Sequence, residues 1–168
     1  MILDSGNRRE FETGAVRDIQ EGKGRCDLLP LDVISRIYKD DMVYGNEVSI
    51  LMRDINRYIR LGDLWYLENA IKNAIHMLFQ GDVNYAMLEL SKHFEEGAKK
   101  YGERNWEKGI PTHCYVDSAL RHLFKHLGVQ KDERHDIACL WNLMCCMWTC
   151  LNKPEMNDYR KDDKVNET

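Results

Sequence analysis

The stretch that most constrains the fold of this chain is residues 137–151, IACLWNLMCCMWTCL. Nearly every position is apolar, so a helix formed here has apolar side chains all round its surface. A helix of this kind is stable in water only when neighbouring elements cover every face. The stretch also falls short of the roughly 20 apolar residues that cross a bilayer. We therefore expect a central, buried helix in a helical bundle.

The remaining sequence predicts the helices that surround it. Apolar residues recur at helical spacing between polar or glycine boundaries, and Asn46, Asp63 and Asp82 are suited to cap helix N-termini. The predicted helices span 30–40, 46–62, 63–81, 82–102, 115–128 and 131–151. No segment shows the alternation of a half-buried strand. The sequence predicts an all-α bundle.

Length and composition favour one soluble domain over residues 1–168. The chain is 43% hydrophobic and 31% charged, with a net charge of −4, which gives no bulk attraction to nucleic acid. Four of its six cysteines lie in the apolar stretch as small buried hydrophobes, and no CxxC pair supports a zinc site, so we expect reduced thiols and a cytoplasmic protein. Within the domain, a glycine-rich basic arm occupies 1–29 and a polar tail occupies 152–168.

Two adjacent acids, Glu95 and Glu96, raise the question of metal binding. Glu95 lies on the border of the apolar stripe of its helix, where a carboxylate is partly desolvated and needs a cation or hydrogen-bond donors. The alternative is a surface ion pair between Glu95 and Lys99, worth about 0.3–0.5 kcal/mol. Spacing alone favours the surface pair.

The last helix carries a polar stripe into its apolar stretch. Asp132, His135, Cys139 and Asn142 follow one another at helical spacing. Glu133 and Asp136 lie on the adjoining face in ExxD spacing. A core Asn bonded to another helix is one interpretation of Asn142, and the wall of a polar pocket is the other.

Basic and imidazole side chains lie on two further segments. Arg121 has the planar fork that suits phosphate oxygens. His122 and His126 form an HxxxH pair, but no third ligand at familiar spacing supports zinc. In the arm, the sequence GKGR at 22–25 places Lys23 and Arg25 in a flexible basic loop, which fits either phosphate binding or a solvated linker.

Four blocks in this order resemble the phage-type MazG-like dATP/dGTP diphosphohydrolases. They are TGAVRDIQEGKGRCDLLP, HFEEGAKKYGERNWEKGIP, DSALRHL and DERHDIACLWN, and together they cover about a third of the chain. For a gene carried by a phage, the expected location of the protein is the host cytoplasm. The resemblance implies an all-α nucleotide pyrophosphohydrolase fold with acidic residues on two helices that bind Mg²⁺ or Mn²⁺. It also implies hydrolysis of purine deoxynucleoside triphosphates to monophosphate and pyrophosphate, which shapes the nucleotide pool.

The chain departs from this family pattern in two ways. Residues 31–90 separate two blocks that usually adjoin, so we interpret them as inserted helices. MazG enzymes proper carry both ExxE and ExxD pairs, whereas here Glu95 and Glu96 are adjacent.

From the resemblance and the residue types together we predict the following site. The expected metal ligands are Glu95, Glu96, Asp132, Glu133 and Asp136. The expected catalytic residues are Glu95, Glu96 and Glu133. The expected substrate-binding residues are Lys23, Arg25, Lys100, Asn105, Trp106, Arg121, His135 and Asn142.

Two other functions fit parts of the pattern. One is an HD-type phosphohydrolase, which would use His122, His135, Asp136 and a distal acid such as Asp158. The other is a helical interaction protein without catalysis, whose acids form a solvated face.

The sequence also predicts a dimer or tetramer. The apolar positions Leu64, Leu67, Ile71 and Ile75 exceed what one small bundle obviously needs to bury. A homo-oligomer would cover this face.

Overall fold

The structure is a computed structural model that describes residues 6–19, 25–30, 33–34 and 45–160. The arm contains a short antiparallel hairpin of β1 (Arg8–Glu10) and β2 (Val16–Asp18), in which Arg9 pairs with Arg17. Five α-helices are described after it: α1 (Gly45–Leu61), α2 (Leu64–Phe79), α3 (Val83–Tyr101), α4 (Thr112–Leu127) and α5 (His135–Asn152). Short 3₁₀ helices occupy Cys26–Leu28, Asn105–Lys108 and Pro154–Met156.

Local capping explains two of the helix starts. The Asp63 side chain accepts a hydrogen bond from the backbone N–H of Trp65, and Asp82 accepts one from the N–H of Tyr85. These bonds satisfy backbone donors that have no partner within the helix. Both caps are the ones predicted from the sequence. Asn46, the third predicted cap, lies inside α1, which begins at Gly45.

Helix α5 occupies the centre of the bundle, as predicted. It packs against α4, α2 and α3, and Leu140, Leu143 and Cys146 are fully buried. One end is less enclosed, since Leu151 is 62% exposed. The predicted all-α architecture is confirmed.

The structure departs from the sequence prediction in two places that shape the site. The arm folds into a hairpin although neither strand is longer than three residues. The last helix begins at His135, so Asp132 and Glu133 precede it instead of continuing its stripe. Helical spacing therefore does not determine the positions of these two side chains.

The face predicted to require a second subunit is covered within the chain itself. Leu67 is fully buried and Ile71 is 9% exposed, while Leu64 and Ile75 are partly buried against the same core. Oligomerisation stays a prediction. The predicted helix at 30–40 lies largely outside the described residues. Within the described ranges, none of the helices has the length and apolar character needed to cross a membrane.

We expect Leu140→Ala to lower the free energy of unfolding by about 2–5 kcal/mol, because it leaves a cavity at a fully buried position. The matched control is Leu151→Ala on the same helix, where the side chain is 62% exposed and the expected change is within about 0.5 kcal/mol. Urea denaturation followed by circular dichroism measures both. Equal losses in the two variants would contradict the central position of α5.

Candidate active site

A cavity of about 720 Å³ opens between the hairpin, α3, α4 and α5. The hairpin contributes one wall, and the C-terminal half of α3 contributes another. The described residues that line the cavity and bear most on its chemistry are Arg9, Arg17, His93, Tyr101, Asn105, Trp106, Cys114, Asp117, Arg121, His122, Glu133 and Asn142. The volume lies in the range of small-molecule and cofactor sites.

The hairpin is held on the cavity by Asn105. The side-chain oxygen of Asn105 accepts a hydrogen bond from Val16 N at 3.0 Å, and its amide donates to Val16 O at 2.9 Å. The hydroxyl of Thr13 donates a further hydrogen bond to the carbonyl of Gly109. The cavity wall is thus fixed by residues about 90 positions away in the sequence.

Two arginines of the hairpin reach into the cavity. Arg17 Nη2 donates to Asn142 Oδ1 at 2.8 Å and to Ser118 Oγ at 2.9 Å. Among the residues described, Arg17 Nη1 and Arg9 Nε are buried and have no hydrogen-bond acceptor. A buried guanidinium N–H without an acceptor is costly, and an anionic ligand would supply the acceptor.

A compact cluster of imidazole and carboxylate groups forms another part of the wall. His122 Nδ1 lies 3.1 Å from His135 Nδ1 and 3.3 Å from Glu133 Oε1. His135 Nδ1 lies 3.5 Å from the same carboxylate oxygen. These three atoms form a nearly equilateral triangle, joining α4 to the start of α5.

Asp132 fixes the orientation of His135 by contacting Nε2, the ring nitrogen that is not part of the triangle. Its Oδ1 lies 2.6 Å from His135 Nε2, and this hydrogen bond lowers the pKa of Asp132 to about 2. A carboxylate in this position accepts a hydrogen bond from Nε2–H, and this tautomer leaves Nδ1 as the ring nitrogen with a lone pair for a metal ion. Burial, with the nearby His135 and Arg121, lowers the pKa of His122 to about 3, so His122 is neutral near pH 7.

The cluster has the atoms that a divalent cation requires. Two imidazole nitrogens and one carboxylate oxygen converge within 3.5 Å of one another. Imidazole suits Mn²⁺, Co²⁺ and Zn²⁺, while carboxylate oxygen is common to these ions and Mg²⁺. Asp132 completes the carboxylate–histidine arrangement that often supports metal ligands. The residues present fit a metal ion.

A smaller cleft of about 90 Å³ adjoins the cavity and shares its His93 and Glu133 walls. Glu89 and Glu96 line it, and Glu89 accepts a hydrogen bond from Arg134 Nη1 at 3.1 Å. His93 is neutral here, because burial lowers its pKa to about 4. The cleft brings two more carboxylates near Glu133.

Comparison with known protein families gives a match. The family profile described as dATP/dGTP diphosphohydrolase, N-terminal, matches residues 68–159, more than half of the chain. The chain belongs to this diphosphohydrolase family. A search of curated proteins gave no match, and a search of solved structures gave none. The matched region begins within residues 31–90, the segment interpreted above as an insertion.

Membership in an enzyme family decides against the non-catalytic alternative. Only some of the residues expected for the HD-type alternative lie together in the structure. His122 and His135 are in contact, but Asp136 accepts a hydrogen bond from Arg134 at 2.7 Å. Asp158 is hydrogen-bonded to His113 at 2.8 Å.

The predicted metal ligands do not lie together in one place. Glu133 lies in the imidazole cluster, with Asp132 behind it. Glu96 lines the smaller cleft, and Asp136 is paired with Arg134. Glu95 is 65% exposed and forms the surface pair with Lys99 that spacing had favoured.

The predicted triphosphate ligands are also dispersed. Arg121 lines the cavity and forms an ion pair with Asp117. Lys100 Nζ forms an ion pair with Asp18 Oδ2 at 3.2 Å, and Arg25 forms one with Asp27. Lys23 lies outside the described residues.

The remaining predicted residues have mainly positioning contacts. Asn105 holds the hairpin, and Asn142 accepts from Arg17 while donating to Ala138 O. Trp106 lines the cavity and packs against Phe94 at a centroid distance of 5.4 Å. His135 belongs to the imidazole cluster.

Sequence reasoning missed Arg9, Arg17, His93 and Cys114 of this diphosphohydrolase. Arg17 had a signal, because it lies in the family-like block TGAVRD. Helical spacing pairs His122 with His126, its neighbour one turn along α4, and only the HD-type alternative placed it with His135. The structure pairs it instead with His135, across an intervening turn that no helical spacing describes.

Proposed function

We propose that this protein hydrolyses dATP and dGTP to the monophosphate and pyrophosphate in a reaction that requires a divalent metal ion. The proposal rests chiefly on one observation: Arg9 and Arg17, each with a buried guanidinium nitrogen, and the His122–His135–Glu133 cluster line the same cavity or its wall. Guanidinium groups suit phosphate oxygens, and the cluster suits a metal ion. The family match supplies the substrate class.

His122, Glu133 and His135 would hold the metal ion, with Asp132 orienting His135. When bound, the ion supplies a Lewis acid for the phosphate oxygens and lowers the pKa of a coordinated water. The carboxylates of the adjoining cleft, Glu89 and Glu96, would add negative charge for a further cation.

The arginines would position the triphosphate. Arg17 is braced by Asn142 and Ser118, so its remaining N–H groups are held in a fixed direction. Arg9 and Arg121 would neutralise further phosphate oxygens. Water attack at the α-phosphorus breaks its bond to the bridging oxygen, and the β- and γ-phosphates leave as pyrophosphate.

An aromatic wall would receive the purine. Phe94 lies 5.4 Å from Trp106 and 5.9 Å from Trp141 between ring centroids, and all three residues line the cavity. The larger purine ring system offers more area to such a wall than a pyrimidine does. Because Asn105 is engaged with Val16, we assign it to the hairpin and base recognition to stacking.

A substrate panel tests this function. We expect dATP and dGTP to be hydrolysed at least about tenfold more efficiently than dCTP and dTTP, a difference of about 1.4 kcal/mol in transition-state stabilisation. Initial rates for these four and ATP, with chromatographic identification of products, give the answer. Pyrophosphate is the expected product, whereas inorganic triphosphate would favour the HD-type reaction. A pyrimidine nucleotide as the best substrate would overturn the purine assignment.

A further inference from the structure

A second constellation of reactive groups lies beside the proposed triphosphate site. Cys114, in the first turn of α4, lines the cavity. Its Sγ accepts a hydrogen bond from Arg9 Nη2 at 2.9 Å and lies 3.3 Å from His113 Nε2. His113 Nδ1 lies 2.8 Å from Asp158 Oδ2. Cysteine, histidine and aspartate thus form a continuous chain of contacts that ends on an arginine-paired sulfur.

The aspartate of this chain is firmly positioned. Asp158 Oδ2 also accepts from the backbone N–H of His113 at 2.9 Å and from Thr112 Oγ1 at 3.3 Å. In return, the N–H of Asp158 donates to Thr112 Oγ1 at 3.0 Å. A base oriented by a third group is the arrangement that activates a nucleophile.

The charges around the sulfur favour the thiolate. Burial raises the pKa of Cys114, but the hydrogen bond with His113 and the positive charges of His113, Arg17 and Arg9 lower it by more. The hydrogen bond with Asp158 raises the pKa of His113 to about 10, so His113 is an imidazolium near pH 7. The pair resembles the thiolate–imidazolium form of a reactive cysteine.

The other thiols differ from Cys114 in their surroundings. Burial raises the pKa of Cys26 and raises that of Cys139 to about 12. Burial also raises the pKa of Cys145 and Cys146 well above the ordinary value. The hydrogen bond with Cys146 lowers the pKa of Cys150, but this thiol lies 3.0 Å from the hydroxyl of Tyr58 in the core and not on the cavity. Of these six thiols, Cys114 is the one that lines the cavity described above.

We propose that Cys114 is a modification site for small electrophiles and hydrogen peroxide, and that its modification blocks the nucleotide cavity. With peroxide, the thiolate attacks one oxygen, an S–O bond forms and the O–O bond breaks. The departing hydroxide takes the His113 Nε2 proton and leaves as water. Sulfur is oxidised by two electrons to sulfenic acid, and peroxide is reduced. The blocking half of this inference rests on the function proposed above, while the reactivity half does not.

The first experiment measures reactivity without measuring nucleotide hydrolysis. The folded protein is treated with limiting iodoacetamide at pH 7, and each cysteine is quantified by peptide mass spectrometry. Cys114 is 4% exposed, and a small reagent reaches it through the cavity that it lines. We expect it to be alkylated about tenfold faster than the half-buried Cys26, because more of it is thiolate. His113→Gln should slow the alkylation of Cys114, with folding confirmed by circular dichroism. Alkylation of Cys26 at the same rate or faster would overturn the assignment.

The second experiment measures the consequence for hydrolysis. Wild type, Cys114→Ser and the matched control Cys26→Ser are each assayed with dATP before and after hydrogen peroxide, and each is compared with its own untreated rate. We expect about a tenfold loss in wild type and Cys26→Ser, and retention in Cys114→Ser. Equal losses in all three, or full activity of wild type whose Cys114 is oxidised, would overturn the blocking role. A protein without dATP hydrolysis would refute the proposed function, and the alkylation pattern would still decide the reactivity.

Discussion

Replacing either His122 or Glu133 with glutamine will reduce turnover of dATP by at least about a hundredfold and weaken Mn²⁺ binding in parallel. The reason is geometric: each variant removes one corner of the triangle of ligand atoms, whose sides are 3.1, 3.3 and 3.5 Å. Chelation with EDTA will abolish activity, and added Mn²⁺ will restore it. Initial rates and calorimetric titration with MnCl₂ measure the two effects separately.

Glu95→Gln is the matched carboxylate control for these variants. Its side chain is 65% exposed and paired with Lys99, so we expect nearly wild-type turnover and Mn²⁺ binding. Asp132→Asn provides an intermediate case. It keeps the three ligand atoms but changes the partner of His135, and we expect about a 10–100-fold loss of metal affinity. Full activity of the His122 and Glu133 variants, or of wild type in EDTA, would refute this metal site.

The second large effect is expected at Arg17. Arg17→Ala will lower kcat/KM for dATP by about 10²–10⁴-fold, because a hydrogen bond to a charged group contributes about 1.5–3 kcal/mol and the triphosphate would lose two. Arg17→Lys keeps the charge but not the planar fork, so it will recover only part of the loss. Steady-state kinetics with folding checked by thermal unfolding measure the effect.

Arg8→Ala is the control from the same hairpin. Arg8 lies 3.4 Å from Asp18, and its side chain is 31% exposed. We expect kcat/KM to change less than about threefold, since surface ion pairs contribute about 0–1 kcal/mol. A similar loss in Arg8→Ala and Arg17→Ala would show that the hairpin matters only as a structural unit.

The sequence predicted those features that depend on local pattern. The apolar run at 137–151 correctly placed the buried helix, and Asp63 and Asp82 correctly marked helix starts. The buried helix was predicted from burial alone, and the helix starts were predicted from interactions within one or two helical turns. Such interactions can be derived from a single chain segment.

The site depended on contacts that no local pattern encodes. His122 and His135 meet across the turn between α4 and α5, so the helical spacing that pairs His122 with His126 was no guide. Glu133 precedes α5, and its direction is set by that same turn. Arg17 reaches Asn142 across 125 positions of sequence. Pairings of this range follow from the packing of the whole bundle.

The docking of the hairpin has a consequence for the order of folding. Its contacts with Asn105 and Asn142 span 89 and 125 positions, so they form only when loops of this length close, whereas each helix forms from contacts within about four residues. The helices can pack first, and the hairpin then completes the cavity. Because each strand has only three residues, we expect the hairpin to open more readily than α5. Amide hydrogen exchange at Val16 should therefore be faster than in α5, and its rate reports how often the cavity is accessible.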